Sequence, residues 1–173
     1  DSPRSHIINK DLNIDKYSED AKTALVNPLY KKDDRDEIKN YRPVSLWNGF
    51  SKIYERFLHN SLSKFTEKIF SEFISAYRKN YSSNHVLLKL IDDWKASLDN
   101  NKIVGTVLMD LSKAFDCIPH DLLIAKLHAY GLSIKSLTFI YSYLKRRKQG
   151  VKINDTESIF KILLSGVPQG SIL

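Results

Sequence analysis

The sequence predicts an α+β fold. Four segments carry apolar residues at the spacing of three and four positions that amphipathic helices show, and other short runs are rich in β-branched and aromatic residues. These segments follow one another without the regular strand–helix–strand alternation of a doubly wound sheet. With 173 residues, 42% of them hydrophobic, the chain is long and apolar enough to bury a core.

The N-terminal part of the chain is predicted to contain two strands. Residues 1–20 are polar and are expected to form an extended lead-in. Residues 21–29 form an apolar segment with β character. Pro43 pushes Arg42 towards an extended backbone, which predicts a second strand at 41–46, after a loop of mixed charge.

Helices are predicted where apolar residues recur every three or four positions. The predicted helices are residues 51–68, 84–98, 120–130 and 134–144. The second is expected to bury a face that contains Leu87, Ile91 and Trp94. Gly131 and Ser133 are residue types that end one helix and cap the next, so they separate the last two.

Two further β elements are predicted in the C-terminal part. Apolar β-formers over residues 103–109 end on a carboxylate, Asp110, which predicts a buried strand that holds an acid rigidly at its C-terminal end. Such an acid suits metal binding or catalysis, and it equally suits a turn or a helix cap. Residues 151–163 alternate around Asn154 and Asp155 and predict a hairpin.

The charge balance favours a polyanionic partner. Lys and Arg number 27 against 20 Asp and Glu, which gives a net charge of +7. RNA or DNA is the first expectation, and simple solubility is the alternative. The single cysteine, Cys117, excludes an internal disulfide and a Cys-based zinc site and fits an intracellular compartment, with nucleus and cytoplasm undistinguished. No apolar run suggests a membrane partner.

Three features carry residue types that suit phosphoryl transfer. The first is Asp110, with an aromatic residue, Phe115, five positions later. The second is the rigid loop 166–171, of sequence Gly-Val-Pro-Gln-Gly-Ser. The third is a group of cations on a predicted hairpin: Lys31, Lys32 and Arg42. Transfer from a nucleoside triphosphate needs carboxylates for divalent metals, cations for the triphosphate, and shaped contacts for the sugar and base.

Residues 41–46, 108–116 and 166–173 resemble, in order and spacing, successive sequence blocks of the reverse transcriptases of non-LTR (LINE-type) retrotransposons. Residues 52–57 and 142–147 are also similar to that family, so the resemblance covers roughly residues 20 to 173. It implies reverse-transcriptase-like fingers and a partial palm of a right-hand polymerase, without the later palm strands and thumb. The implied division is fingers at 21–100 and partial palm at 101–173, ending at the Gly-Val-Pro-Gln-Gly-Ser loop.

The resemblance implies roles for individual residues near the nucleotide. Asp110, with the backbone carbonyl of Leu111, would bind Mg²⁺, or Mn²⁺ in its place. Phe115 would lie under the sugar and exclude a ribose 2′-hydroxyl. The triphosphate would be bound by Arg42 together with Lys31 or Lys32. Gln169 would contact the incoming nucleotide, and Gly170 would allow close approach of template or substrate.

Nucleic-acid contacts are implied at Arg78, near the template, and in a basic run: Lys145, Arg146 and Arg147. Each assignment has a plain structural alternative. Phe115 suits core packing, Arg42 suits bracing of the neighbouring acidic loop, and Gln169 suits a turn. The basic run is equally typical of a solvated helix end. Asp116 is interpreted as a structural acid, and His120 as a structural histidine.

Two departures from the family pattern bear on activity. Residues 74–78 read Ile-Ser-Ala-Tyr-Arg where the family often has Gln-x-Gly-Phe-Arg, so the arginine is kept and the Gln and Gly are replaced. The aromatic-x-Asp-Asp block that supplies further metal ligands does not occur in the 173 residues. The chain also lacks an initiator Met, so we expect an excerpt of a longer protein that does not polymerise alone.

The implied activity of the whole protein is that of an RNA-directed DNA polymerase, a nucleotidyltransferase that uses an RNA template, a DNA primer and dNTPs. Two other hypotheses stay open. One is a non-catalytic nucleic-acid-binding remnant of a decayed retroelement, which the basic charge supports equally well. The other is an RNA-directed RNA polymerase or a group II intron maturase, which Phe115 and the family-like helical blocks fit less well.

Overall fold

Strands and helices follow one another in mixed order in the computed structural model, which describes residues 16–172. Most of the predicted lead-in therefore lies outside the described residues. The N-terminal elements are β1 (Thr23–Tyr30), β2 (Tyr41–Leu46), α1 (Gly49–Thr66) and α2 (Ser83–Asp99). The C-terminal elements are α3 (His120–Ala129), α4 (Ile134–Leu144), β3 (Lys148–Ile153), β4 (Thr156–Glu157) and β5 (Lys161–Ile162). These elements confirm the predicted α+β class.

Contacts divide the described residues into two units. Unit 1 comprises residues 16–60 and 113–172, and unit 2 comprises residues 61–112. All of the buried residues in the described part of the chain belong to unit 1. Unit 1 therefore holds the core, and both ends of the chain contribute to it.

The sheet of unit 1 is built around β1. This strand pairs antiparallel with β2, where Leu25 lies opposite Leu46 and Leu29 lies opposite Arg42. On its other side it pairs parallel with β3 over four residues. The strand order is β2-β1-β3-β4, which leaves β2 at one edge. Since β1 buries only Ala24 and Val26 of its eight residues, the strand packs one face on the core.

The predicted hairpin at 151–163 is confirmed, with an irregularity. Lys152 lies opposite Glu157, whereas Gln149 lies opposite Lys161, so the returning chain contains one extra residue between these two pairs. An extra residue on one strand is a β-bulge, which interrupts the ladder and separates β4 from β5. At the tip, Asn154 adopts a left-handed φ of 53°, a conformation that Asn tolerates better than most residues.

The four predicted helices are confirmed within three residues at each end. Ser133 caps α4 by accepting a hydrogen bond from the backbone N–H of Ser136, at 3.3 Å. Gly131, with a φ of 96°, ends α3. Among residues 16–172, none of the helices combines the length and the apolar character that crossing a membrane requires.

An aromatic cluster fills the core beside α1 and α4. Tyr17 lies 5.0 Å from Tyr54, 6.1 Å from Phe139 and 4.9 Å from Tyr143, measured between ring centroids. All four side chains are buried. Edge-to-face and tilted contacts of this kind stabilise a core by roughly 0.5–1.5 kcal/mol each beyond the burial of their area.

Two opposite charges lie fully buried beside this cluster. Glu55 of α1 is 0% exposed, and its Oε1 atom accepts a hydrogen bond from the Tyr143 hydroxyl at 2.9 Å. Arg147 is 1% exposed, and its guanidinium lies over the rings of Trp47 (4.1 Å) and Tyr143 (4.4 Å). Within the described part of the chain, its three side-chain nitrogens have no hydrogen-bond partner. The cation is therefore held between aromatic faces.

The predicted strand at 103–110 does not form. Residues 102–111 have no regular secondary structure, and the side chains of Ile103 and Leu108 are 99% and 90% exposed. A strand needs a neighbouring strand to receive its backbone hydrogen bonds, and no described segment pairs with this one. The prediction was wrong for this chain because apolar β-formers favour a strand without supplying its partner.

The predicted buried face of α2 is also wrong. No residue of this helix is buried, and Leu87 and Trp94 are 54% and 38% exposed. Unit 2 contains one complete helix and the end of α1, so the described part of this unit offers the apolar stripe little surface against which to pack. An amphipathic pattern gives a helix the ability to bury a face, but burial requires a second surface.

Base titration should distinguish the buried tyrosines from the rest. Burial raises the pKa of Tyr17 to about 12, against an ordinary value of 10.0, and burial raises the pKa of Tyr143 as well. The folded protein then keeps protons that the unfolded chain releases above pH 10. We therefore expect these two phenols to leave the free energy of unfolding unchanged below pH 10. At higher pH they should lower it, by on the order of 1 kcal/mol per pH unit for each phenol.

Ultraviolet absorbance of tyrosinate, recorded with denaturant unfolding across this pH range, checks the expectation. The variant Tyr17→Phe should show a smaller loss of stability between pH 10 and 12 than the parent chain. Ionisation of all nine tyrosines near pH 10 in a chain that is still folded would contradict it.

Candidate functional site

The connection between β1 and β2 is fixed by its own side chains. The Tyr30 hydroxyl donates to the carbonyl of Asp33 at 2.6 Å, and the Tyr41 hydroxyl donates to the carbonyl of Arg35 at 2.9 Å. The two tyrosine rings lie 5.8 Å apart, and the Arg35 guanidinium lies over the Tyr30 ring. These contacts set the geometry of a hairpin tip that carries three predicted phosphate-binding cations.

The hairpin places two of these cations on one face. Leu29 lies opposite Arg42, and the backbone N–H of Lys31 donates to the carbonyl of Asn40 at 2.9 Å, which continues the same register. Side chains two residues apart on a strand share a face, so Lys31 and Arg42 lie on the same side of the hairpin. Lys32 lies in the turn instead, with its Nζ atom 3.9 Å from the Asp33 carboxylate.

The loop 166–171 lies along the edge strand β2. The backbone N–H of Ser45 donates to the carbonyl of Gln169 at 3.0 Å. Gly170 has a φ of 93°, and a Cβ atom there would lie 3.2 Å from Cγ1 of Val44. Since Val44 and Arg42 are two residues apart on β2, the face that carries Arg42 is the one that Gly170 approaches.

The start of the same loop interlocks with the segment before α3. Val167 donates its backbone N–H to the carbonyl of Phe115, and Gly166 donates to the carbonyl of Ile118, both at 2.8 Å. The Nε2 atom of His120 donates in turn to the Gly166 carbonyl at 2.8 Å. The loop that presents Gln169 is therefore bonded directly to the backbone of Phe115, and the structural role predicted for His120 is confirmed.

Gly166 is the residue that makes this interlock possible. Its φ is 83°, and a Cβ atom would lie 2.7 Å from the carbonyl oxygen of Asp116 and 2.9 Å from that of Phe115. Both neighbours are backbone atoms, which cannot rotate away. Any side chain would push the two segments apart.

The far end of the loop is held by the buried carboxylate. The Oε2 atom of Glu55 accepts a hydrogen bond from the backbone N–H of Ile172 at 3.0 Å. No motif in the sequence indicated a role for Glu55. The available signal was its position in α1, where Ser51, Tyr54 and Leu58 are spaced at three and four residues and lie on the same buried face.

A cavity of about 450 Å³ in unit 1 opens beside the loop. Asp116, Gln149 and Gln169 line it together with apolar side chains such as Leu163 and Pro168. A surface that combines amide, carboxylate and apolar groups suits an uncharged or weakly polar part of a ligand, such as a sugar or a base.

Asp110 and Leu111 lie in unit 2, in the exposed segment without regular structure. In the part of the chain that the structure describes, no group of three or more His, Cys, Asp or Glu side chains could hold a metal ion. Asp110 thus offers one carboxylate, whereas a divalent metal clamped by protein needs further oxygen ligands. The described residues do not complete a Mg²⁺ site.

The basic run that follows α4 divides into exposed and buried residues. Lys145 and Arg146 are exposed, and the ammonium of Lys145 lies 5.0 Å from the centre of the Tyr141 ring. Arg147 is buried between aromatic rings, so the prediction that it binds nucleic acid is corrected. The chain enters β3 at the next residue, and this change of direction turns one side chain of the run into the core.

Arg78 makes its contacts within unit 2. Its Nη2 and Nε atoms donate to Oε1 of Glu67 at 2.9 and 3.2 Å, and Nη1 donates to the carbonyl of Ile74. The guanidinium also lies 4.4 Å from the centre of the Tyr81 ring. These contacts connect the end of α1 with the segment before α2, and a contact of Arg78 with the template stays a prediction.

Comparison with known proteins gives a consistent result. Residues 29–173 match the family described as reverse transcriptase (RNA-dependent DNA polymerase). The probable RNA-directed DNA polymerase from transposon BS of Drosophila melanogaster is 29% identical over 96% of the chain. The RNA-directed DNA polymerase from mobile element jockey of Drosophila funebris is 26% identical over 96% of the chain.

A match over a shorter part of the chain is the putative COX1/OXI3 intron 1 protein of Saccharomyces cerevisiae, which is 30% identical over 76% of the chain. The chain spans 19%, 18% and 14% of the lengths of these three relatives. It is therefore similar to about a fifth of each transposon polymerase.

Substitution of Gly166 should destabilise unit 1 more than substitution of another glycine that also has a positive φ angle. Gly131→Ala is the matched control, because its φ is 96° and a Cβ atom there would meet nothing within 4 Å. We expect a loss of about 1 kcal/mol from left-handed strain alone in Gly131→Ala, and about 3 kcal/mol in Gly166→Ala. Denaturant unfolding of both variants measures the difference, and equal losses would contradict the interlock.

Proposed function

The chain belongs to the reverse transcriptase (RNA-dependent DNA polymerase) family, and on this basis we propose that it supplies the nucleotide-contacting part of an RNA-directed DNA polymerase of a mobile element. Family membership confirms the resemblance that the sequence blocks indicate. Coverage of 96% by the transposon polymerases, against 76% by the intron protein, favours a mobile-element enzyme over a maturase. The observation that carries the proposal is the bonding of loop 166–171 to both β2 and Phe115.

In this proposal, Lys31 and Arg42 bind the triphosphate of the incoming dNTP. The support is their common face on the β1–β2 hairpin, which is also the face that Gly170 approaches. A guanidinium and an ammonium neutralise the phosphate oxygens and donate charge-assisted hydrogen bonds. The sequence left Lys31 and Lys32 as alternatives, and the hairpin register favours Lys31.

Phe115 and Gln169 are proposed to contact the sugar. The backbone bond between Val167 and Phe115 supports this, because it holds the aromatic residue beside the loop that carries Gln169. A ring under the sugar would clash with a ribose 2′-hydroxyl and so select dNTPs over rNTPs. The absence of a side chain at Gly170 would let the nucleotide or the template approach the backbone.

Asp110 is proposed as one ligand of a divalent metal, Mg²⁺ or Mn²⁺, with the carbonyl of Leu111 beside it. Two such ions in a polymerase stabilise the attacking and leaving oxygens of phosphoryl transfer. The described residues provide a single carboxylate at this position, so the remaining ligands would come from outside the described residues.

The nucleic-acid partners proposed for the whole protein are an RNA template and a DNA primer. The net charge of +7 supports binding of a polyanion, and Lys145 and Arg146 are exposed cations that could contact its backbone. Arg78 is proposed to lie near the template. The division into fingers at 21–100 and partial palm at 101–173 is part of the same proposal.

Primer extension by the full-length protein of this reading frame tests the function. We expect incorporation of dNTPs directed by an RNA template in the presence of Mg²⁺. Asp110→Ala should lower the rate by at least about a hundredfold, because a metal ligand is lost. Asp93→Asn, an exposed acid on α2, is the control and should leave the rate unchanged. Template binding without any extension would favour the non-catalytic remnant instead.

Alanine substitution of the two neighbouring lysines should separate their roles. Lys31→Ala should raise the KM for dNTPs about tenfold, because a charge-assisted contact with the triphosphate is lost. Lys32→Ala removes the same side chain one residue later and should change this KM by less than about twofold. Steady-state primer extension with each variant gives both values, and a larger effect at Lys32 would contradict the assignment.

A further inference from the structure

The loop 166–172 is held at three places. Its start is bonded to the backbone of residues 115–118 and to the His120 side chain, and Gln169 is bonded to the backbone of Ser45. Its end is bonded to the carboxylate of Glu55, which accepts from the N–H of Ile172 at 3.0 Å. Glu55 lies in α1, 117 residues before Ile172.

Each oxygen of this carboxylate accepts a hydrogen bond. Its Oε1 atom accepts from the Tyr143 hydroxyl on α4, and its Oε2 atom accepts from Ile172. The residue is 0% exposed, so water does not compete for either oxygen. Hydrogen bonds to an ionised acceptor are roughly twice as strong as bonds between neutral groups. The loop is therefore attached to a rigid part of the core by a strong bond.

Tyr143 lies between the carboxylate and a buried cation. Its hydroxyl donates to Glu55, and the Arg147 guanidinium lies 4.4 Å from the centre of its ring. Burial raises the pKa of the Tyr143 phenol most, while the guanidinium lowers it and the carboxylate raises it, so both charged groups act on the same phenol. The group that accepts from Ile172 thus belongs to the same buried core as Arg147.

We infer that Glu55 is a positioning residue for the incoming dNTP, acting through Ile172 on Gln169 and Gly170. This inference rests on the proposed function of the loop. Gln169 and Ile172 are separated by two residues, so the bonds at Ser45 and Glu55 restrict the backbone that carries the nucleotide contact from both sides. Without the bond between Glu55 and Ile172, the loop would be less ordered before the nucleotide binds. Ordering it on binding costs free energy, which would lower the affinity for the nucleotide.

Steady-state kinetics and hydrogen exchange on the full-length protein of this reading frame test the role of Glu55. Glu55→Ala removes the acceptor and should raise the KM for dNTPs about tenfold, with kcat within threefold. Amide exchange in peptides covering residues 166–172, measured without nucleotide, should become about tenfold faster. Tyr143→Phe loses a buried hydrogen bond to the same carboxylate but keeps the Ile172 bond, so both readouts should stay within about twofold of the parent.

Replacement of Glu55 by glutamine should preserve the bond to the loop. In Glu55→Gln the amide oxygen can still accept from Ile172 while the amide nitrogen donates to the Tyr143 hydroxyl. This variant should be less stable, because a carboxylate accepts stronger hydrogen bonds than an amide, yet its KM for dNTPs should stay within about threefold of that of the unsubstituted protein.

A second pair of variants leaves the buried charges untouched and decides the matter if Glu55→Ala does not fold. Ile172→Pro removes the backbone N–H and should raise the KM as Glu55→Ala does, whereas Ile172→Ala keeps the N–H and should not. Equal KM values in Ile172→Pro and Ile172→Ala, or equal increases in Glu55→Ala and Tyr143→Phe, would overturn the inference. A parent protein without polymerase activity would overturn the proposed function instead, while the exchange rates would still report whether Glu55 holds the loop.

Discussion

The burial of Glu55 and Arg147 in one aromatic core is the constraint on which unit 1 depends. A charge in such a core costs several kcal/mol unless neighbouring groups compensate it. Here Tyr143 contacts both residues, since its hydroxyl bonds Glu55 and its ring lies beneath the Arg147 guanidinium. The two charged residues lie far apart in the sequence, in α1 and immediately before β3. Their common contact with Tyr143 therefore requires α1, α4 and the start of β3 to adopt one mutual arrangement. A purely apolar core of similar volume would pack as tightly, but it would not specify which backbone amide the loop presents to α1.

The sheet explains why the loop can be held by residues from both ends of the chain. β1 and β3 are parallel neighbours, so the chain between them must cross from one end of the sheet to the other. In the sequence, residues 61–112 of unit 2 fall between these two strands. The C-terminal loop returns to the edge strand β2. Gly166 and Gly170 permit that return by accepting left-handed backbone at points where another backbone or side chain is in contact. The site is thus assembled from non-local contacts around locally ordered turns.

Local signals in the sequence predicted most element boundaries, and non-local requirements account for the failures. Pro43, Gly131 and Ser133 act through their own backbone or the next few residues, and the elements beside them form as predicted. The strand at 103–110 and the buried face of α2 required partners that no local pattern could supply. Among the candidate site residues, the loop and hairpin were predicted from residue type. Arg147 was predicted to be accessible because it stands in a run of cations, and Glu55 was overlooked because a glutamate is rarely fully buried.

Asp110 and Phe115 are five residues apart in the sequence, but the segments that carry them differ in how their backbones are bonded. The boundary between the units falls between them, at residues 112 and 113. In unit 1, Val167 is bonded to Phe115, Ser45 to Gln169, and Ile172 to the Glu55 carboxylate. These bonds fix the loop and the aromatic residue that are proposed to contact the nucleotide. On the side of Asp110, an exposed apolar segment carries the acid without a strand to hold it. The loop and the hairpin proposed to recognise the nucleotide are therefore ordered by contacts that do not involve Asp110, namely those of the buried Glu55 carboxylate and of the two glycines.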